Sequence, residues 1–473
     1  MQSYRAAKDV LRKYDQEHVL AFFEELSSQD QNTLLEQISQ IDFEQLDRVI
    51  RSQVFSTQGF ALPANLQPAA MLPAQPKDEE TLRLYQQAKA KGQELIAQGK
   101  VAAMVVAGGD GTRLGFAGPK GCLPVTPLKR KPLFAVFAEQ VLAASARYGA
   151  SVPWYVMTSP TNDAATREYF AQKKFFGLEE RDVFFFVQGQ APTLSREGKM
   201  LLADKNMIAT NPDGHGGSLT ALRRSGALED MARRGCEIIS YFQVDNPLVH
   251  CLDPLFIGLH ALKGAEMSAK ALPKREPMEK LGNFCLVEGK VHVIEYSDLP
   301  EEMARATRPD GKLLFSAGSI AIHTFSRSFV ERLTEGGACK LPFHRAIKKV
   351  AHVGPTGAKV QPDQPNALKF EMFVFDALPL ANNVVILETQ RSEEFSPVKN
   401  ATGDDSIATC LHDQIRRAAR WLSSAKVNVP RDADGRPAAA IEISPLYALD
   451  EEQLAQKLPK DFAIKAGQEV FLG

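Results

Sequence analysis

The stretch Val101 to Val125, VAAMVVAGGDGTRLGFAGPKGCLPV, constrains the fold more than any other part of the chain. It opens on small and apolar residues from Val101 to Ala107, then sets Gly108, Gly109, Gly111, Gly115, Gly118 and Gly121 around Arg113 and Lys120. A short apolar run bounded by glycine reads as a buried strand. Glycines after it let backbone N–H groups approach an anion closely, and in an open α/β sheet such a turn lies beyond the carboxyl ends of the strands, where phosphates bind. The spacing is neither the Walker G-x-x-x-x-G-K-[ST] nor G-x-G-x-x-G. A flexible turn with two surface charges is the competing reading of the glycines, but both cations beside a buried strand favour a polyphosphate.

The rest of the chain supplies a sheet for that loop. "VPWYVMTS", "DVFFFVQG", "EIISYFQVDN", "MSAKAL" and "NVVILETQ" are apolar runs separated by amphipathic stretches, the pattern of a mostly parallel sheet covered by helices. "FCLVEGKVHVIEYSDL" alternates on both sides of Glu288-Gly289, which predicts a hairpin and hence a mixed sheet. Helical spacing is expected at Val10, Leu11 and Tyr14, at Val19, Leu20, Phe22, Phe23 and Leu26, at Leu34, Leu35 and Ile38, from Glu79 to Gln98, and in "SIATCLHDQIRRAARWLSSA". Pro63, Pro68, Pro73 and Pro76 predict an extended strap. The expected division is a helical N-terminal unit with its strap at 1–78, a catalytic core at 79–405 and a small C-terminal unit at 406–473.

Composition removes several function classes. With 473 residues, 24% of them charged and a net charge of -1, the chain lacks the basic excess of a nucleic-acid or membrane-surface binder. No apolar run is long enough to span a bilayer, and the charged N-terminus has no signal-like apolar segment, so a cytoplasmic protein is expected. The cysteines stand singly without a C-x-x-C pair and are expected to be reduced and buried.

Further motifs carry chemistry. "NPDGHGGSLTAL" places Gly214, Gly216 and Gly217 ahead of a helix, a second backbone platform able to lie against a base or sugar, or simply a helix entry; His215 within it could equally be a structural hydrogen-bonder. "ISYFQVDNPLV" brings Asp245 to the carboxyl edge of a strand, where one carboxylate plus phosphate oxygens suits Mg²⁺; a capping role is the alternative. Glu295 and Tyr296 end a hairpin strand, where a carboxylate can accept from sugar hydroxyls, or form a solvated edge. "KFEMFVFDAL" alternates Phe370, Met372 and Val374 against Glu371, Phe373 and Phe375, and Lys399 stands in the loop "FSPVKNA"; core packing and solvent exposure are their plain readings.

In order, "AGGDGTRLG" with "PKG", "PWYVMTS", "VQGQAP", "PDGHGG", "VDN", "VIEYSD", "LLFSAGSIAIH", "KFEMFVFD" and "EFSPVKNA" resemble the UDP-N-acetylhexosamine pyrophosphorylases of the UDP-sugar pyrophosphorylase superfamily, over about residues 10 to 405. The resemblance implies an α/β fold: a GT-A-like, Rossmann-type nucleotidyltransferase core with a mixed, mostly parallel sheet between small helical N-terminal and small C-terminal units. It implies that UTP and a sugar 1-phosphate give UDP-sugar and pyrophosphate. It assigns Val106, Ala107, Gly108 and Gly109 to the uridine nucleotide, Arg113, Lys120, Lys369 and Lys399 to phosphates, Gln188 and Gly214 to the uracil, and Asp245 to Mg²⁺, with Asp376 a candidate second carboxylate. Gly282, Glu295 and Tyr296 would face the sugar, and Phe373 and Phe375 would border its acyl group. Three positions depart from the family pattern: His215 and Ser319, which flank the sugar where the family resembles itself in having Asn, and Asp110 in place of Gln. His215 looks more like the UDP-glucose and broad UDP-sugar branches, so a UTP–glucose-1-phosphate or broad UDP-sugar uridylyltransferase is the alternative. A nicotinamide-dependent oxidoreductase, with Glu139 as its acidic residue, and a non-catalytic sugar-nucleotide sensor are the readings from other classes.

Overall fold

A computed structural model describes residues 3–55, 62–63, 65–337 and 339–473. The chain forms two compact units, each built from separated segments.

The larger unit comprises the described residues of 62–187, 221–337 and 377–473. Its sheet is organised around the strand Val101–Val106, every residue of which is buried except Val106 at its carboxyl end. Strands Trp154–Thr158 and Ile238–Gln243 run parallel on either side of it, and Val183–Val187 lies parallel beyond Trp154–Thr158. The three central strands are buried on both faces, as in a sheet covered by helices, whereas the edge strand Val183–Val187 is only partly buried. Antiparallel to Ile238–Gln243 runs Ala317–Ser326, which also pairs with Met267–Pro273. Val384–Glu388 closes that side, parallel to Met267–Pro273. The hairpin is present as Asn283–Val287 and Lys290–Ile294, and its turn holds both Glu288 (φ 50°) and Gly289 (φ 77°) in the left-handed region that a tight two-residue connection requires.

Helices Glu79–Ala97 and Pro254–Leu262 cross at two glycines. A Cβ on Gly92 would lie 1.8 Å from the Pro254 carbonyl oxygen, and one on Gly258 1.7 Å from that of Ala88, so backbone packs on backbone. Of the proline-rich strap, residues 56–61 and 64 lie outside the described residues; its later part is extended, with Pro68 paired to Cys285 and Leu72 bridged to Leu387. Past Ala418 the chain builds a small core of its own from Trp421, Leu422, Ile441, Leu454, Val470 and Leu472.

The smaller unit comprises residues 3–55, 188–220 and 339–376. Helices Tyr4–Lys13, Ser28–Gln40 and Phe43–Val49 begin at Ser3, Ser27 and Asp42, each of which accepts a backbone N–H of the first turn. They bury Leu11, Leu34 and Ile38 against Leu194, Leu368 and Phe370 of the antiparallel sheet Leu194–Ser195, Phe343–Lys348 and Ala367–Met372, and against Met200, which is bridged to Leu194. The N-terminal helices therefore share a core with a sheet from the middle of the sequence. The helix expected from Val19 to Leu26 is instead two 3₁₀ turns, Glu17–Leu20 and Phe23–Glu25. Gln16 donates to the Gly198 carbonyl and His18 contacts that of Met200 at 2.7 Å, which pins the entry to this segment against the sheet and stops a regular helix from winding through it. The alternation in "KFEMFVFDAL" also ends early: the strand stops at Met372, and Val374 opens a 3₁₀ turn to Leu380.

Among the described residues no helix is long and apolar enough to cross a membrane. All six cysteines are free and buried, as expected.

Candidate active site

The glycine loop leaves the carboxyl end of Val101–Val106 and closes on itself. Gly111 N–H donates to Gly118 O at 2.9 Å and Lys120 N–H to Gly109 O at 3.1 Å. Its glycines answer different needs. At Gly121 a Cβ would lie 2.1 Å from the Phe134 ring, so that glycine serves packing, whereas a Cβ at Gly109 would meet nothing within 4 Å. Only glycines of the second kind leave the backbone open to a ligand. Asn162, buried beyond the strand Trp154–Thr158, donates to Ala107 O at 3.1 Å and Gly109 O at 3.3 Å and so fixes the loop from the side.

The charges converge. Lys120 Nζ lies 3.8 Å from Asp245 Oδ2, with each side chain 15% exposed. Burial lowers the Lys120 pKa; Asp245 opposes that, and Lys399 and Arg113 reinforce it. A partly desolvated ammonium crowded by two further cations gains strongly from an arriving anion. Asp405 joins the same group: burial raises its pKa, Lys399 and Arg391 counter this, and Asp245 adds to it.

Lys399 is exposed at the end of a fixed segment. Its neighbour Val398, fully buried, donates its N–H to Asp245 O at 2.8 Å, and the Lys399 N–H donates to Asp405 O at 2.6 Å. Backbone bonds therefore hold this loop folded back to the carboxyl edge, and the lysine side chain extends from it.

On the same unit, Gly282, Ser319 and Glu295 come together. Ser319 N–H donates to Gly282 O at 2.7 Å, and Glu295 Oε1 lies 3.5 Å from where a Gly282 Cβ would stand. Tyr296 follows Glu295 in the turn after the strand Lys290–Ile294.

The smaller unit holds the remaining candidates. Gly214 (φ 83°) leaves no room for a side chain, since a Cβ there would meet Met372 O at 2.3 Å. Gln188 donates to Gly214 O at 2.9 Å, so part of its amide already holds the loop. His215 stacks on Phe373, with ring centroids 5.3 Å apart, and meets Phe375 edge-on at 5.8 Å. Phe373 also stacks on His344, at 4.4 Å, whose Nε2 lies 2.7 Å from Asp376 Oδ2. Asp376 is thus engaged by a histidine. Lys369 pairs with Ala346 across the strand, half-buried.

Burial, with a smaller push from His344, lowers the His215 pKa to about 4. Its Nδ1 accepts the Val374 N–H at 3.1 Å, which leaves the proton of the neutral ring on Nε2 as a donor. The unfolded chain takes up a proton at this histidine as pH falls through about 6.5, while the folded chain refuses it until about 4, so this group removes stability progressively across that window. His215→Asn keeps an acceptor for Val374 and lacks the titration. Its Tm should fall less than that of the wild type between pH 7 and pH 5, and equal falls would show that His215 is protonated in the fold.

The family model described as UTP–glucose-1-phosphate uridylyltransferase matches residues 64–428. The human UDP-N-acetylhexosamine pyrophosphorylase-like protein 1 is 36% identical, covering 96% of this chain and 94% of the human one. The chain belongs to the UDP-N-acetylhexosamine pyrophosphorylase family. Within this family of nucleotidyltransferases, the Arabidopsis thaliana UDP-N-acetylglucosamine diphosphorylase 2 is 34% identical over 95% of this chain and 91% of its own. The solved Trypanosoma brucei UDP-N-acetylglucosamine pyrophosphorylase, in complex with an inhibitor, superposes with a TM-score of 0.83 at 25% identity, covering 100% of this chain and 98% of that one.

Membership of the UDP-N-acetylhexosamine pyrophosphorylase family disposes of the oxidoreductase reading, and the structure agrees: Glu139 is bound by Lys131 at 2.6 Å and by Ser444 at 2.8 Å, not held open for a ribose. Asn162 and Asp405 were missed by the sequence reading. Asn162 stands in "TSPTND", a polar cluster directly after a buried strand, and that position was its available signal.

Proposed function

We propose that this protein transfers the uridylyl group of UTP to a sugar 1-phosphate, releasing pyrophosphate, and that N-acetylglucosamine 1-phosphate is its preferred acceptor. The observation that carries the reading is the convergence of Arg113, Lys120 and Lys399 on Asp245 at the carboxyl ends of the parallel strands. A phosphate oxygen of the sugar attacks the α-phosphorus of UTP, the bond to the β-phosphate oxygen breaks, and pyrophosphate leaves in line. The reaction brings two anions together. Like charges about 4 Å apart repel by roughly 1 kcal/mol in water and about 4 at an effective dielectric near 20, and several such pairs form here. Cations must offset them, and the attacking phosphate is already ionised, so no protein nucleophile or general base is required.

Asp245 is the residue to hold Mg²⁺. The described residues contain no group of three or more His, Cys, Asp or Glu able to cage a metal, and a single carboxylate at a strand end fits a hard cation whose other ligands are phosphate oxygens and water. When bound, Mg²⁺ would neutralise charge on the phosphates. Lys120 and Lys399 orient the reacting phosphates, and the open backbone at Gly109 admits the nucleotide. Gln188 and Gly214 would face the uracil edge. Within the smaller unit, the stacked His215, Phe373 and Phe375 suit an acyl methyl, and the His215 Nε2–H is a donor. Within the larger unit, Gly282, Glu295, Tyr296 and Ser319 present a carboxylate and hydroxyls suited to sugar hydroxyls. The free, buried cysteines suit a reducing cytosol.

Pyrophosphate release tests the whole reading. UTP should far exceed ATP as donor, and among the 1-phosphates of N-acetylglucosamine, N-acetylgalactosamine, glucose and galactose the first should give the highest kcat/KM. Equal rates with ATP would end the uridine assignment, and a higher kcat/KM for glucose 1-phosphate would install the UDP-glucose alternative that His215 favours.

A further inference from the structure

We infer that Asn246 is the positioning residue that sets Lys399, a role that rests on the uridylyltransferase reading. Asn246 follows Asp245 and is 4% exposed. Its side-chain amide ties two loops that are far apart in sequence. Nδ2–H donates to Glu394 O at 2.6 Å, and Oδ1 accepts the N–H of Ser396 at 3.1 Å and of Leu248 at 3.3 Å. The amide thus reads a carbonyl and an N–H two residues apart on one peptide segment while bracing its own loop. Aspartate could supply only the acceptor and leucine neither, so the geometry calls for an amide of this length.

The tied segment leads directly to Lys399. Its start is fixed because Glu394, 3% exposed, receives the buried Lys270 ammonium on both carboxylate oxygens, at 2.5 and 2.6 Å. Its middle is fixed by the two bonds to Asn246 and by Ser396 Oγ, which donates to Asp413 at 2.8 Å. Its end is fixed by Val398 N–H on the carbonyl of Asp245, the residue beside Asn246. Asn246 therefore determines where the lysine leaves the backbone. Its side chain is buried and held by these bonds, so it acts through Lys399 and not on the reacting phosphates. A polar side chain removed from a buried network also leaves its partners unsatisfied, which lets the segment shift.

A double-mutant cycle separates positioning from general support. Asn246→Ala should lose about 10- to 100-fold in kcat/KM for the sugar 1-phosphate, the scale of a misplacement near 1 Å. Its UTP dissociation constant should stay within about threefold, because the nucleotide loop is fixed elsewhere, by Asn162. The double variant with Lys399→Ala should be no slower than Lys399→Ala alone. Should Asn246→Ala fail to fold, Asn246→Asp enters the same cycle; it retains the acceptor and turns a carboxylate toward the Glu394 carbonyl. Losses that multiply in the cycle, wild-type kinetics for the Asn246 variant, or a Lys399→Ala variant with full activity would each overturn the positioning role while wild-type turnover upholds the uridylyltransferase reading. A wild-type protein that makes no UDP-sugar would overturn that reading itself.

Discussion

Lys399→Ala is expected to lose about 10²-fold or more in kcat/KM for the sugar 1-phosphate, the scale at which a single cation contributes to phosphoryl transfer, while UTP affinity changes far less. The asymmetry follows from placement. Lys120 is partly buried beside Asp245 and stands on the glycine loop itself, whereas Lys399 is exposed and reaches the same charge cluster from a segment anchored to the Asp245 backbone. A mobile ammonium on a fixed backbone can meet the second anion as it closes on the first. Lys399 lies 5.6 Å over the Phe395 ring, a resting place it can leave at little cost. Lys399→Arg should restore only part of the rate, because a planar fork does not reproduce a compact ammonium. Steady-state kinetics with UTP and sugar phosphate varied in turn would decide: equal weakening for both substrates makes Lys399 a general electrostatic contributor, and no change returns it to the solvated surface.

Asp245→Asn should lower turnover on the order of 10²-fold or more at fixed Mg²⁺ with a Tm near that of the wild type. Removing the carboxylate takes away the one negative charge opposing the fall of the Lys120 pKa, so an ammonium already depressed by burial and by two cations is depressed further. The fold should tolerate the change, because the loop uses the Asp245 backbone carbonyl, retained in asparagine, to hold Val398. Kinetics over a Mg²⁺ titration, with thermal unfolding alongside, gives the answer. Unchanged activity, or a variant that unfolds, would assign Asp245 to the capping role its place after a strand also allows.

The central strands Val101–Val106, Trp154–Thr158 and Ile238–Gln243 were legible because they are buried on both faces and so consist almost wholly of apolar residues, bounded by glycine or polar turns. The glycine loop was legible as a phosphate site, though not glycine by glycine: only contact with Phe134 distinguishes Gly121 from the open Gly109. Val19 to Leu26 misled because its spacing is helical while side chains of Gln16 and His18 bond another segment. Asn246 was illegible for a related reason. It stands in a motif whose aspartate absorbs attention, and the carbonyl it serves lies 148 residues further on. Local pattern reports which face is apolar; it carries no record of which distant peptide an amide will hold.

The bonds that fix the segment before Lys399 have a consequence in time. Arg417, buried on the helix Ile407–Ser424, donates to both Leu248 O and Glu393 O, so the two loops are locked together by a residue made after either of them. During synthesis, at about 5–20 residues per second, the parallel strands, the glycine loop and Asp245 all emerge well before that arginine. A growing chain can therefore assemble the glycine loop and the strand that carries Asp245 before Arg417 fixes the segment that carries Lys399. The helix Ile407–Ser424 is the latch that completes the arrangement of the two loops.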